Sequence, residues 1–163
     1  MNKEPLLATG AVIASLGVST SALAAQATGT ANATVVTPIA IAVGATTLEF
    51  GDIVGGTGGT VIVTPLGADG GGTLTSTGTK SAGTFDVTGA NNRTFSILIA
   101  KVTDLVNGAH DLVISSFTHS AGGTPTLSAG GTLTLGVGAT ITADSSEGDG
   151  TYSGTYTVDV DYN

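Results

Sequence analysis

Hydrophobic and polar residues alternate most strictly in Gly150-Thr-Tyr-Ser-Gly-Thr-Tyr-Thr-Val-Asp-Val-Asp-Tyr-Asn163. Tyr156, Val158, Val160 and Tyr162 fall on one face, and Thr155, Thr157, Asp159 and Asp161 fall on the other. A period of two sends successive side chains to opposite faces of a sheet, so this stretch predicts a long strand with one buried and one wet face. Shorter pieces of the same pattern recur upstream. Ile39, Ile41 and Val43 alternate after Thr37-Pro38, where the proline confines its position to a sheet edge, a strand start or a bulge. Residues 47–51 predict a short strand with Leu48 and Phe50 inward, residues 60–64 another, and residues 84–88 a third with Phe85 and Val87 on one face.

Phe95, Ile97 and Ile99 are in phase within residues 93–100, and Gly89-Ala-Asn-Asn92 before them has the chemistry of a tight turn. The two strands flanking that turn predict a hairpin. Asn107-Gly108 marks a further turn. The strand after it, residues 112–118, places Leu112 and Ile114 opposite in phase to Val113 and Phe117. Residues 132–137 put Leu133, Leu135 and Val137 inward, and residues 144–150 form a polar loop before the final strand. About eight to ten short strands at irregular spacing predict an all-β, antiparallel sandwich, and the lack of a fixed repeat argues against a solenoid.

The N-terminal part reads differently. After Met1-Asn-Lys-Glu-Pro5 comes an apolar run over residues 6–25 that ends Ala22-Leu-Ala24, the small-x-small pattern of a secretory cleavage site. Residues 1–24 therefore predict a signal peptide, with the mature chain beginning near Ala25 outside the cytoplasm. No second apolar run of membrane length follows, so no stable membrane span is expected once the signal is removed. Residues 26–35 alternate again, with Ala27, Gly29, Ala31, Ala33 and Val35 on one side and Thr28, Thr30, Asn32 and Thr34 on the other. That pattern fits either a frayed terminus or an extension that pairs with another molecule.

Composition narrows the class. The chain has 163 residues, enough for one domain with a real core, and its 26 glycines and many threonines suit strands and turns better than helices. A hydrophobic fraction of 40 % with only 10 % charged residues disfavours disorder. The net charge of −8, with only 4 Lys and Arg and no basic cluster, disfavours a nucleic-acid partner. There is no cysteine, which removes disulfides, thiol nucleophiles and thiolate metal sites.

Candidate chemistry is sparse. Gly55-Gly-Thr-Gly-Gly59 is followed by a strand pattern, whereas a phosphate cradle needs a helix directly after its glycines. His110 and His119 adjoin Asp111 and Ser120, but neighbours along a strand point to opposite faces and do not form acid–base couples. Asp144, Glu147 and Asp149 are oxygen-rich but depart from an EF-hand spacing. No catalytic residues, metal ligands or cofactors are expected from this set.

Leu48-Glu-Phe-Gly51 after an Ile-rich strand, together with the ending Gly150-Thr-Tyr-Ser-Gly-Thr-Tyr-Thr-Val-Asp-Val-Asp-Tyr162, resembles the spore coat protein U and Csu-type pilin group. It resembles more closely the secreted bacterial family called domain of unknown function 4402. The likeness covers most of residues 26–163. It implies a pilin-like, immunoglobulin-type β-sandwich whose incomplete sheet is filled by the N-terminal extension of the next subunit.

On that basis residues 25–36 are the expected donor strand and residues 37–163 the sandwich domain. Ala27, Gly29, Ala31, Ala33 and Val35 are the expected interface residues of the donor, and Tyr156, Val158, Val160 and Tyr162 the expected lining of the groove. The expected function is a non-enzymatic, structural subunit of a secreted, cell-surface filament, fimbria or coat. Its main partner is a second copy of itself, and the resemblance adds a periplasmic chaperone or outer-membrane secretion machinery. The alternative is a monomeric secreted binding module for a carbohydrate or calcium.

Overall fold

The computed structural model describes residues 24–163. The expected signal peptide, residues 1–24, lies almost wholly outside the described residues. The chain divides into two units at Thr34/Val35. In the first, residues 24–34 are exposed and carry no strand. The second unit, Val35–Asn163, holds ten strands and no helix among its residues.

The larger sheet is built on its longest strand. The strands in chain order are β1 (Ala40–Val43), β2 (Asp52–Ile53), β3 (Gly59–Val63), β4 (Ser76–Thr77) and β5 (Gly83–Thr88). After them come β6 (Phe95–Lys101), β7 (Leu105–Asn107), β8 (His110–His119), β9 (Thr132–Ala143) and β10 (Tyr156–Tyr162). The sheet runs β1-β5-β9-β8-β7, every pair antiparallel, with β3 also on β9. One edge of β9 carries β5 opposite Thr132–Val137 and then β3 opposite Ala139–Ala143. At the changeover the backbone of Val63, Thr64 and Pro65 passes so close to Gly138 that a Cβ there would meet Val63 O. Only glycine fits such an approach.

In β8 the register slips between Ser115 and Thr118, where Ser116 has φ 50°. This is a β-bulge. It accounts for the phase break in the sequence, because Leu112 and Ile114 are buried before it and Phe117 packs into the interior after it.

The second layer is narrow, a two-stranded ribbon in which β10 pairs with β6 from Tyr156↔Lys101 to Tyr162↔Phe95. Between the layers lies one core of Val87, Phe95, Leu127, Leu135 and Val137, each at most 1 % exposed. A second core, with Val61, Val63, Ile114 and Ile141, sits under the β3/β8 end of the large sheet. There the cover comes from Leu48, Phe50, Ile53, Leu74 and Tyr152, which lie on loops and short strands rather than on the ribbon.

The all-β, antiparallel sandwich is as expected, and the turn expected at Asn107-Gly108 is present, joining β7 to β8 in a hairpin where Asn107 pairs with His110. The hairpin expected across Gly89–Asn92 does not form. β5 pairs with β1 and β9, and β6 pairs with β10, so that turn carries the chain from one layer to the other. Val87 and Phe95 face one core from opposite sides, an arrangement with the same alternation as a hairpin.

Candidate functional site

β10 is a strand because its Tyr/Val and Thr/Asp residues alternate without a break, and its burial follows the same alternation. Tyr156, Val158, Val160 and Tyr162 are half-buried against the core, and Thr157, Asp159 and Asp161 are exposed. The four expected groove-lining residues thus form one face.

The two tyrosines fix this strand over β5. The hydroxyl of Tyr156 lies where a Cβ on Gly83 would be, and that of Tyr162 where a Cβ on Gly89 would be. The tyrosines are spaced along β10 as the glycines are along β5, so the two strands lie face to face and run in the same sense. Tyr162 Oη accepts from the Ala90 N–H at 2.5 Å and donates to the Thr37 carbonyl at 2.9 Å. Tyr156 instead packs its ring, edge-on to Phe85 with centroids 5.9 Å apart and tilted to Phe117 at 5.2 Å. Burial raises the Tyr156 phenol above its usual pKa, since the phenolate is poorly solvated there.

Backbone polarity decides what the ribbon offers on its outer side. Phe95 N–H donates away from β10, to Pro125 O at 3.0 Å. On the β10 side of β6, Val102 N–H donates to Thr155 O and Asn163 N–H to Thr94 O. The odd-numbered residues of β10 therefore bond to β6. The N–H and C=O groups of Tyr156, Val158, Val160 and Tyr162 point to the opposite edge, and no strand among the described residues pairs with that edge. The same four residues present core-facing side chains and unpaired backbone.

Across the seam, β1 pairs only with β5. Ile39 and Ile41 are half-buried in the shared core, while Val43, paired with Phe85 on the same face, is 77 % exposed. Both sheets thus end in an open strand at this side, with apolar side chains partly uncovered between them.

Among the expected donor residues, Ala27, Gly29, Ala31 and Ala33 are exposed and outside any strand. Val35, the first residue of the folded unit, is likewise outside any strand and is 97 % exposed. The strand pattern of residues 26–35 therefore does not become a strand in the single chain.

A cleft of about 660 Å³ opens over the second core. Leu48, Ile53, Leu74 and Leu105 are its partly exposed apolar residues, with Phe50, Leu112, Ile114 and Ile141 buried beneath them, and Asp144 with residues 147–156 forms one wall. In that wall Tyr152 Oη donates to Gly148 O at 2.8 Å and lies 3.4 Å from Glu147 Oε2. The sequence reading identified the acidic loop but missed the cleft, whose apolar residues come from four separate stretches with no common period.

The two histidines lie apart. His110 Nδ1 is 3.7 Å from Glu147 Oε2, and His119 Nδ1 is buried without a hydrogen-bond partner. Asp104 is structural: Lys101 Nζ and the Ile114 N–H both reach its carboxylate and lower its pKa. Among the described residues no three His, Cys, Asp or Glu side chains converge as they would around a metal ion.

No curated protein and no solved structure matches the chain. One family does, described as Domain of unknown function (DUF4402), over residues 41–162. The matched region begins within β1 and ends with β10, the two strands that border the open seam, and on this match the chain belongs to the DUF4402 family.

Proposed function

We propose that this protein is a structural, non-enzymatic subunit of a secreted filament, fimbria or surface coat, in which residues 26–36 of one copy add a strand beside β10 of the next. The observation that carries the reading is the open edge of β10, where four residues combine unpaired backbone groups with half-buried apolar side chains. An edge strand left open templates pairing with another chain, and strand addition combines main-chain hydrogen bonds with pockets for alternate side chains. Val43 of β1, across the seam, is also left uncovered.

The N-terminal segment suits that place. Residues 26–36 carry no charge, so they can lie beside the outward Asp159 and Asp161 without repulsion. The resemblance of the Leu48–Gly51 and Gly150–Tyr162 motifs to spore coat protein U and Csu-type pilins supports the same reading. Deleting residues 26–36 is expected to leave a folded protein that no longer assembles, measured by size exclusion and electron microscopy. Assembly indistinguishable from that of the full chain would overturn the proposal.

The second reading, a monomeric binding module, draws on the cleft beside the Asp144–Asp149 loop. Its calcium form lacks a converging set of acidic side chains among the described residues, so its stronger form is a carbohydrate module. A carbohydrate that raises the unfolding temperature would favour it, since a ligand bound only to the folded state stabilises that state.

A further inference from the structure

The cleft has a charge pattern that strand addition does not use. Around its apolar surface stand Glu49, Asp52, Asp144, Glu147 and Asp149, and no lysine or arginine lines it. Glu147 is the most enclosed of them, its side chain 12 % exposed beside the Tyr152 hydroxyl. Desolvation and the neighbouring Glu147 charge raise the Tyr152 phenol pKa. The volume, about 660 Å³, is that of a small-molecule site, and such sites pair an apolar lining with a few directing polar groups.

Charge also limits the occupant. A second copy of the chain carries a net charge of −8, and two of its 4 basic residues are engaged within the fold, Lys80 with Asp69 and Lys101 with Asp104. A bare divalent cation would need several converging oxygen ligands, and the carboxylates here are dispersed. A ligand with an apolar body and one positive group satisfies both parts of the lining.

We propose that this cleft binds a hydrophobic organic cation, its apolar body on the partly exposed Leu48, Ile53, Leu74 and Leu105 and its ammonium group towards the carboxylates. Tyr152 in the wall adds an aromatic ring, and aromatic rings attract cations. The site stands independently of assembly through β10.

The test uses three probes with one tail and different heads: octylammonium, octanol and octanoate. Each is titrated into the full chain below its micelle concentration, by calorimetry at low salt. Octylammonium is expected to bind about tenfold more tightly than octanol, with octanoate weakest, and to weaken as salt is added. Asp144→Asn with Glu147→Gln is expected to lower octylammonium affinity about fivefold or more. Asp159→Asn with Asp161→Asn removes the same charge from the outer face of β10 and is expected to leave affinity within about twofold.

Equal losses in the two double variants would reduce the effect to overall charge and overturn the site. Undetectable octylammonium binding, or octanoate binding as well as octylammonium, would overturn it too. Circular dichroism checks the fold of each variant. Should Glu147→Gln unfold, Asp144→Asn alone, at an exposed loop position, carries the comparison.

Discussion

The two tyrosines of β10 occupy equivalent places over β5 but are held differently, and that contrast gives a quantitative prediction. In Tyr162→Phe the Ala90 N–H and the Thr37 carbonyl each lose a partner, at 2.5 Å and 2.9 Å respectively. One hydrogen bond contributes about 0.5–1.5 kcal/mol net, so losing both should cost about 1–3 kcal/mol. For a domain of this size that is a fall in Tm of about 4–11 °C. Tyr156 makes no side-chain hydrogen bond among the described residues; its ring is held by Phe85 and Phe117. Tyr156→Phe keeps that packing and should change stability by less than about 0.5 kcal/mol. Thermal and urea unfolding followed by circular dichroism, at a concentration where the protein is monomeric, measures both. Equal effects, or a larger loss in Tyr156→Phe, would refute the assignment of distinct anchors to the two ends of the strand.

Three further outcomes follow from the same geometry. Val158→Asp places a carboxylate on the core-facing side of β10, opposite Ile99, and should cost roughly 3 kcal/mol or more; a soluble variant that assembles normally would mean that the inward face is wrongly assigned. Gly138→Ala forces a methyl group against Val63 O and should destabilise by about 1–3 kcal/mol in a denaturant titration, with Gly130→Ala, where the nearest atom to the new Cβ is Ser128 Oγ at 3.6 Å, as the mild control. The raised pKa of Tyr156 gives a stability contribution that is fully present below the unfolded value near 10 and is lost as pH rises through the higher folded value. Unfolding free energy should therefore decline above about pH 10 less steeply in Tyr156→Phe than in the parent protein.

What could be read from the sequence was side-chain facing, and what could not was strand partnership. The face of β10 was legible because its alternation is uninterrupted. The same alternation in Phe85/Val87 and Phe95/Ile97 suggested a hairpin, because periodicity reports which side is buried and not which strand lies alongside. β9 was seen only as far as Val137, since Gly136 and Gly138 look like a break; they are small because the chain leaving β3 crosses there. The phase break in β8 was visible as an irregularity, and the positive φ of Ser116 identifies it as a bulge. Of the candidate site, the groove-facing side chains were legible. The open backbone edge was not, because it depends on which residues bond to β6.

The arrangement around β9 also sets when the molecule can fold. Gly59 pairs with Ala143, Gly83 with Val137 and Phe95 with Tyr162, and the Tyr162 hydroxyl bonds to the Thr37 carbonyl 125 residues away. Pairings so distant along the chain must meet their loop-closure entropy before they return stability, which slows folding. The larger sheet cannot close until β9 has been synthesised, and the ribbon cannot form until β10 follows. During synthesis only the smaller β1–β5, β2–β4 and β7–β8 pairs can form before β9 emerges, so both cores stay open until the last third of the chain is made.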